Sequence, residues 1–192
     1  MLEGQMKKIV IFASGSGSNA ENIILHFKNN QKADVVAVLT NNAKAKVIER
    51  AENHGVSAIV FDKAELADGT VSRKVNELQP DLIVLAGFLL MFPNEIIENY
   101  TDKVINIHPA LLPKYGGKGM YGMKVHQTVL DNKDAETGIT IHYVNEKYDE
   151  GAIIFQATTS IEDCTVPEEI AEKVHELEYR HFPEVIEKLL SH

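Results

Sequence analysis

Apolar stretches that alternate with helix-length segments constrain this sequence most strongly. Residues 7–13 predict a strand that is continuously apolar from Ile9 onward, and it breaks into a glycine- and serine-rich loop before a helical pattern over about residues 20–29. The same unit returns with an apolar run at residues 35–40 and a helical pattern over about residues 43–53. Strands that alternate with helices are typical of α/β folds.

The later segments predict how this α/β sheet ends. Strands are expected at residues 57–61 and 82–86, the second of them so apolar that it should lie at the centre of the sheet. No clear pattern marks residues 62–69, and a helix is expected over residues 71–78. Two strands at 138–144 and 151–157 are expected to pair antiparallel. We predict a Rossmann-like open sheet, mostly parallel, with an antiparallel strand pair near the C-terminal part and helices on both faces.

The last helix has a clear start. Pro167 suits the first turn of a helix, and the helical pattern runs from there to about residue 190 with a bend expected before Pro183.

Length and composition predict one compact domain over residues 1–192. The chain is 44% hydrophobic and 24% charged, and its formal net charge of −9 disfavours non-specific nucleic-acid binding. No stretch approaches the roughly 18 to 20 apolar residues of a membrane span, and residues 1–6 lack the apolar run of a signal peptide. The single cysteine, Cys164, rules out an internal disulfide and suits a reducing compartment. We expect a cytoplasmic monomer or weak homodimer that binds neither nucleic acid nor membrane.

The loop at residues 14–19, Ser-Gly-Ser-Gly-Ser-Asn, stands between the first strand and the first helix. Glycines let a backbone approach an anion, and helix N-terminal amides favour its charge, so this loop predicts a phosphate site. A dinucleotide is a weaker alternative, because the second strand ends in two asparagines instead of the acidic residue that binds a ribose. A tight turn with Asn19 as N-cap is the purely structural alternative.

The run at residues 104–108, Val-Ile-Asn-Ile-His, is the candidate catalytic strand. Period-2 alternation places Asn106 and His108 on one face, with the isoleucines directed into a core. An amide donor beside an imidazole suits an oxyanion that forms next to a proton-transfer step. Alternatively, these two side chains only satisfy loop backbone.

Two further loops are expected near that strand. Residues 87–93 are apolar and follow the strand at 82–86, on the edge of the sheet that faces the ligand crevice, so a flat heterocycle would fit there. Core packing is the alternative for any single side chain of this loop. Residues 114–123 are glycine-rich and predict a mobile loop, either a lid or a second phosphate-binding loop. His126, in the helix expected at residues 124–130, is expected at the surface or behind the site.

Five motifs together resemble one family. They are SGSGSN at 14–19, AGF at 86–88, NIHPALLPKYGG at 106–117, GITIHYV at 138–144 and YDEG at 148–151. The sequence resembles the phosphoribosylglycinamide formyltransferases over nearly the whole chain, from about residue 7 onward. The central pattern Asn-x-His-Pro-x-Leu-Leu-Pro with the later Asp-x-Gly is shared by enzymes that transfer or hydrolyse the formyl group of 10-formyltetrahydrofolate. It therefore specifies the chemistry better than the acceptor.

The resemblance implies a reaction and a set of roles. A formyl group would pass from 10-formyltetrahydrofolate to glycinamide ribonucleotide, in purine biosynthesis, through a tetrahedral intermediate. Asn106 and His108 would stabilise the oxyanion, and Asp149 would organise His108 or a proton-shuttling water and raise the pKa of the imidazole. The implied binding residues are Gly15, Ser16, Gly17, Ser18, Asn19 and Glu178 for the ribonucleotide, and Phe88, Leu89, Leu90, Met91, Asn106 and Val144 for the folate. A solvated helix carboxylate is the alternative for Glu178.

Other functions stay open at this point. Formyltetrahydrofolate hydrolase would share the catalytic residues, but such enzymes carry an extra N-terminal domain, and methionyl-tRNA formyltransferase would need a further C-terminal domain. A catalytically inactive folate- or nucleotide-binding module would not need all three of Asn106, His108 and Asp149. A metal site is not expected, because the histidines lack the short spacings typical of metal ligands and no cysteine is near them.

Overall fold

The computed structural model describes residues 6–192. The expectation that residues 1–6 carry no signal peptide concerns residues that, apart from Met6, lie outside the described part of the chain. In chain order the elements are β1 (Lys7–Phe12), α1 (Ser18–Asn30), β2 (Ala33–Thr40), α2 (Lys46–Asn53), β3 (Ser57–Val60), α3 (Lys63–Ala67), α4 (Thr70–Leu78), β4 (Leu82–Leu85), α5 (Asn94–Asn99), β5 (Val104–His108), α6 (Met123–Asp131), β6 (Glu136–Tyr143), β7 (Ile153–Ser160) and α7 (Pro167–Leu190).

The described strands form one seven-stranded sheet in the order β3-β2-β1-β4-β5-β6-β7. The pairs from β3 to β5 are parallel, whereas β5 pairs antiparallel with β6 and β6 with β7. The predicted mixed sheet and the central position of β4 are confirmed. The chain order reverses between β1 and β4, where open α/β sheets bind ligands beyond the carboxyl ends of their strands.

Each face of the sheet carries its own core. On one face, Ile9 and Ile11 of β1 pack with residues of α1, α2, α6 and α7. On the other face, Val10 and Phe12 pack with residues of α4 and α5. Successive strand residues point to opposite faces, so a continuous apolar run fills both cores at once.

Two short helices differ from the sequence predictions. Residues 62–69 carry α3, which begins with a capping box in which Asp62 and Glu65 accept each other's backbone amides at 2.9 and 3.0 Å. The apolar loop after β4 is followed by α5, which begins directly after Pro93. Both helices are too short for a hydrophobic period to mark them.

Helix α7 continues through Pro183. A proline has no amide hydrogen to donate to the carbonyl four residues earlier, here that of Tyr179. Asn22 of α1 supplies the missing donor, because its Nδ2 lies 2.9 Å from this carbonyl oxygen. The contact fixes α7 against α1 beside the carboxyl edge of the sheet.

Within residues 6–192, every helix is too short or too polar to span a lipid bilayer.

Candidate active site

A cleft of about 660 Å³ opens at the carboxyl ends of β1, β4 and β5. Its walls come from the loops that follow these strands, from the segment that leads into α6, and from one side of α7. It is lined by Gly15, Ser16, Gly17, Ser18, Asn19, Ala86, Gly87, Phe88, Leu89, Asn106, Ile107, His108, Pro109, Gly117, Lys118, Gly119, Met120, Tyr121, Gly122, Met123, His126, Tyr148, Asp149, Ala171, His175 and Glu178.

Most of the predicted site residues meet in this cleft. The three catalytic candidates line it, as do all six residues expected to bind the ribonucleotide. Three of the six expected folate contacts also line it, namely Phe88, Leu89 and Asn106. Leu90, Met91 and Val144 do not line it. Val144 packs against the core on the α4 side, because the end of β6 turns it towards that face.

Strand register brings Asn106 opposite His142. Nδ1 of His142 lies 2.8 Å from the carbonyl oxygen of Tyr143 and must therefore donate to it. Nε2 of His142 is then free to accept from Nδ2 of Asn106 at 3.1 Å. The second amide hydrogen of Asn106 has no partner among the described residues, so the amide can donate into the cleft.

His108 is almost fully buried, with 3% of its surface exposed. Its Nε2 donates to the carbonyl oxygen of Tyr115 at 2.7 Å, which leaves Nδ1 facing Oδ2 of Asp149 at 3.5 Å. Burial lowers the pKa of His108 below its usual value and outweighs the opposing effect of Asp149. Asp149 does act on this pKa in the expected direction, but because burial outweighs it, the charged imidazole is not favoured at rest.

Asp149 stands between two imidazoles. Its Oδ2 accepts the amide hydrogen of Gly117 at 3.0 Å, and its Oδ1 lies 3.6 Å from Nε2 of His142. Burial alone would raise the pKa of Asp149, but His142, the charge of His108 and the Gly117 amide together hold it below its usual value. This carboxylate therefore stays ionised in the cleft at neutral pH.

The turn after β5 is held from behind. The hydroxyl of Thr140 donates to the carbonyl oxygen of Ala110 at 2.7 Å and accepts the amide hydrogen of Leu112 at 3.0 Å. The side-chain amide of Gln156 donates to the carbonyl oxygen of Leu112 at 3.0 Å. These bonds to β6 and β7 fix the turn that carries His108 into the cleft.

The glycine loop after β1 is packed against α2. Gly17 has a φ of +73°, and a Cβ atom there would lie 2.3 Å from Cγ2 of Val47. The carbonyl oxygen of Gly15 accepts the amide hydrogen of Val47 at 3.2 Å. A Cβ atom on Gly15 would meet no atom within 4 Å, so this glycine borders open space. Gly17, and not Asn19, is the N-cap residue of α1.

Glu178 is buried, with 5% of its surface exposed, so it is not a solvated helix carboxylate. Its Oε2 accepts from Nδ2 of Asn19 at 2.9 Å and from Nδ1 of His175 at 2.9 Å. The hydrogen bond to Glu178 raises the pKa of His175. Oδ1 of Asn19 is buried without a partner among the described residues, so Asn19 and Glu178 together offer acceptors to a donor group in the cleft.

His126 lies buried in the wall of the cleft, so of its two expected positions, at the surface or behind the site, the surface position is wrong. It is 3% exposed, and its Nδ1 has no partner within residues 6–192. Burial, assisted by the neighbouring His175, lowers the pKa of His126 to about 4. This imidazole is therefore neutral at pH 7.

A family model described as Formyl transferase matches residues 7–186 of the chain. The chain belongs to the formyl transferase family.

Individual members of the formyl transferase family resemble nearly the whole chain. A protein of Arabidopsis thaliana named phosphoribosylglycinamide formyltransferase, chloroplastic, is 39% identical over 191 residues, which cover 96% of this chain and 65% of that protein. A Bacillus subtilis phosphoribosylglycinamide formyltransferase is 35% identical over 97% of this chain and 96% of its own length. A crystal structure of glycinamide ribonucleotide transformylase 1 from Symbiobacterium toebii superposes with a TM-score of 0.90, at 27% identity, over 98% of this chain and 90% of that chain.

Three histidines of this formyl transferase fold were missed as site residues from the sequence. His142 and His175 had no individual role in the sequence predictions, and His126 was expected at the surface or behind the site. Among residues 6–192, no group of three or more His, Cys, Asp or Glu side chains is arranged to hold a metal ion. His142 could have been identified from its position opposite Asn106, but that position follows only once β6 is paired with β5 in the correct register.

Proposed function

We propose that this protein transfers the formyl group of 10-formyltetrahydrofolate to the amino group of glycinamide ribonucleotide, in purine biosynthesis. The observation that carries the proposal is the meeting of Asn106, His108 and Asp149 in one cleft with a glycine loop and the buried carboxylate of Glu178. The Arabidopsis and Bacillus relatives, which are named phosphoribosylglycinamide formyltransferases, support this acceptor.

The reaction needs an oxyanion to be stabilised. The attacking amine converts the formyl carbon to a tetrahedral centre, and the formyl oxygen gains negative charge. Asn106 can donate its second amide hydrogen to this oxygen, because the first is held by His142 at 3.1 Å. A fixed donor of this kind is worth about 10²–10³ in turnover.

Protons must also leave the attacking amine and reach the departing folate nitrogen. Asp149 is ionised and lies 3.5 Å from Nδ1 of His108, the nitrogen not bonded to backbone. We assign Nδ1 as the point of proton transfer, directly or through a water held by Asp149. A proton on His108 would be stabilised by Asp149 during the reaction, although burial disfavours it at rest.

The two substrates fit different parts of the cleft. The ribonucleotide phosphate is assigned to the loop of Gly15, Ser16, Gly17 and Ser18, at the N-terminus of the 13-residue helix α1. The acceptor's glycinamide end, which carries donor hydrogens, is assigned to Glu178 and Oδ1 of Asn19. For the folate ring we retain Phe88 and Leu89 beside Asn106. Phe88 is steadied by edge-on packing against Phe12 at 5.4 Å.

The expected setting follows from charge and cysteine content. We propose that the protein acts in the cytoplasm as a monomer or weak homodimer, without nucleic acid or membrane. A net charge of −9 and a single cysteine support this setting. Sedimentation of the purified protein across a concentration series would test the oligomeric state.

One assay tests the proposed reaction. Purified protein is given 10-formyltetrahydrofolate with glycinamide ribonucleotide, with water alone, or with charged initiator tRNA, and formyl transfer is followed for each acceptor. We expect rapid transfer to the ribonucleotide only. Loss of the formyl group to water at the same rate would indicate a hydrolase, and no turnover with any acceptor would indicate an inactive binding module.

A further inference from the structure

The segment from Gly117 to Met123 borders the cleft, and apart from the Gly117 amide it has no part in the chemistry proposed above. The first residue of the segment is hydrogen-bonded to a catalytic candidate, because the Gly117 amide donates to Oδ2 of Asp149 at 3.0 Å. Just before it, the hydroxyl of Tyr115 donates to Asp134 at 2.6 Å and anchors the chain. Its end passes directly into α6, which packs against α7.

Lys118 is the only lysine or arginine among the described residues that line the cleft. Its side chain is exposed. The lysine–carboxylate pairs found within residues 6–192 use five other lysines, namely Lys7, Lys32, Lys74, Lys147 and Lys173. The ammonium of Lys118 is therefore not engaged with a carboxylate of this part of the chain.

The remaining charges of the cleft do not favour an anionic substrate. Asp149 and Glu178 are carboxylates, and both line the cleft. Nδ1 of His175 is already bonded to Glu178 at 2.9 Å, so a positive charge on this imidazole would be balanced by that carboxylate. His126 and His108 are buried, and burial disfavours their charged forms. A phosphate dianion in this cleft would thus depend on Lys118 for its one permanent positive charge.

We infer that Lys118 pairs with the phosphate of the acceptor and so makes the enzyme prefer a phosphorylated substrate. The inference rests on the proposed function for the identity of that acceptor. It places the contact on the segment from Gly117 to Met123, in addition to the backbone amides of the glycine loop.

The position of the segment favours the phosphate over the carboxylates of a folate tail. The segment leads into α6, which packs against α7, the helix that carries Glu178. Glu178 is in turn bonded to Asn19 of the glycine loop. Lys118 therefore belongs to the same wall of the cleft as α6, α7 and the glycine loop.

The test compares Lys118→Met with two other variants. Lys118→Arg keeps the charge. Lys124→Met removes the charge of another exposed lysine, one that does not line the cleft. Lys124 lies beside the same segment, because a Cβ atom placed on Gly119 would be 3.7 Å from its Nζ. For each protein, kcat/KM is measured with glycinamide ribonucleotide and with its dephosphorylated ribonucleoside. The ratio of the two values is the preference for phosphate.

We expect Lys118→Met to lower this preference by about tenfold, the effect of one ion pair that is partly shielded from water. Lys118→Arg and Lys124→Met should keep it within about threefold of the unmodified protein. A merely structural role for Lys118 would slow both acceptors equally and leave the ratio unchanged, which would overturn the inference. A second arm measures, for the unmodified protein and for Lys118→Met, the KM of folate donors with and without the glutamate tail. If Lys118→Met altered only the effect of the tail on KM, the inference would also be overturned.

Binding separates this inference from the proposed function. Ribose 5-phosphate is titrated calorimetrically into the unmodified protein and into Lys118→Met, a measurement that requires no formyl transfer. We expect binding to the unmodified protein and a Kd about tenfold weaker for the variant. Equal affinities, or no binding to either protein, would overturn the role of Lys118. A failure of the proposed function would instead appear as no formyl transfer to glycinamide ribonucleotide.

Discussion

The side-chain amide of Asn19 donates a hydrogen bond to Oε2 of Glu178 at 2.9 Å, across a sequence separation of 159 residues. The bond joins the first turn of α1 to the middle of α7. It makes the glycine loop and the buried carboxylate parts of one rigid wall. A ligand that contacts either of them is therefore positioned relative to both.

Removing the charge of Glu178 should weaken binding of the acceptor. In Glu178→Gln, one side-chain oxygen can still accept from Asn19, but the negative charge that faces the glycinamide end is lost. We expect KM for glycinamide ribonucleotide to rise about tenfold or more, with KM for the folate donor unchanged. Glu184→Gln, on the exposed side of the same helix, is the matched control. An unaltered acceptor KM in Glu178→Gln would refute the assignment.

The two glycines of the loop should respond differently to alanine. Gly17→Ala forces a Cβ against Val47 at a positive φ, so unfolding free energy should fall by about 2 kcal/mol or more. Gly15→Ala meets no atom within 4 Å, so stability should change by less than about 0.5 kcal/mol. Its methyl group would nevertheless raise KM for the ribonucleotide. Denaturant unfolding and steady-state kinetics measure both effects, and an unchanged KM in Gly15→Ala would place the phosphate elsewhere.

His126 should make the fold sensitive to acid. Its pKa is lowered to about 4 in the folded protein, whereas in the unfolded chain it is about 6.5, so the unfolded state binds more protons between these values. Stability is therefore lost as pH falls below about 6.5, and this loss ends near pH 4. In His126→Leu the decrease between pH 7 and pH 4.5 should be smaller by about 2 kcal/mol. Unfolding by urea at the two pH values measures it.

The exposed His192 provides the control for this prediction. His192→Gln should show the same acid loss as the unmodified protein. An identical loss in His126→Leu would mean that folding does not lower the pKa of His126, which would contradict this account.

Asn22 should stabilise the fold by replacing the donor that Pro183 lacks. Asn22→Ala leaves the carbonyl of Tyr179 to solvent and should cost about 0.5–1 kcal/mol of unfolding free energy. In a Pro183→Ala background, the new backbone amide can serve that carbonyl, so the same substitution should cost less. Equal costs in the two backgrounds would show that the contact does not compensate for the proline.

Local patterns predicted the strands that carry the site. The strand expected at residues 104–108 coincides with β5, because alternation of apolar and polar residues is a local property. The burial of Glu178 could also have been read from the sequence. Ala171, Val174, Glu178 and Phe182 recur at helical spacing, so the carboxylate lies on the buried stripe of α7.

Properties that depend on distant residues could not be predicted in the same way. His142 enters the site only because β6 lies antiparallel beside β5 and places it opposite Asn106. The lowered pKa of His108 depends on the full depth of burial, which outweighs the single carboxylate visible in the motif. The packing of Gly17 on Val47 likewise required the position of α2.

The central claim is that Asn106 and Asp149 stabilise the transition state of formyl transfer. It is tested most directly by steady-state kinetics of Asn106→Ala and Asp149→Asn with 10-formyltetrahydrofolate and glycinamide ribonucleotide. We expect kcat to fall by about 100-fold or more in each variant, with both KM values within a few-fold of the unmodified protein. Turnover close to that of the unmodified protein in either variant would contradict the account.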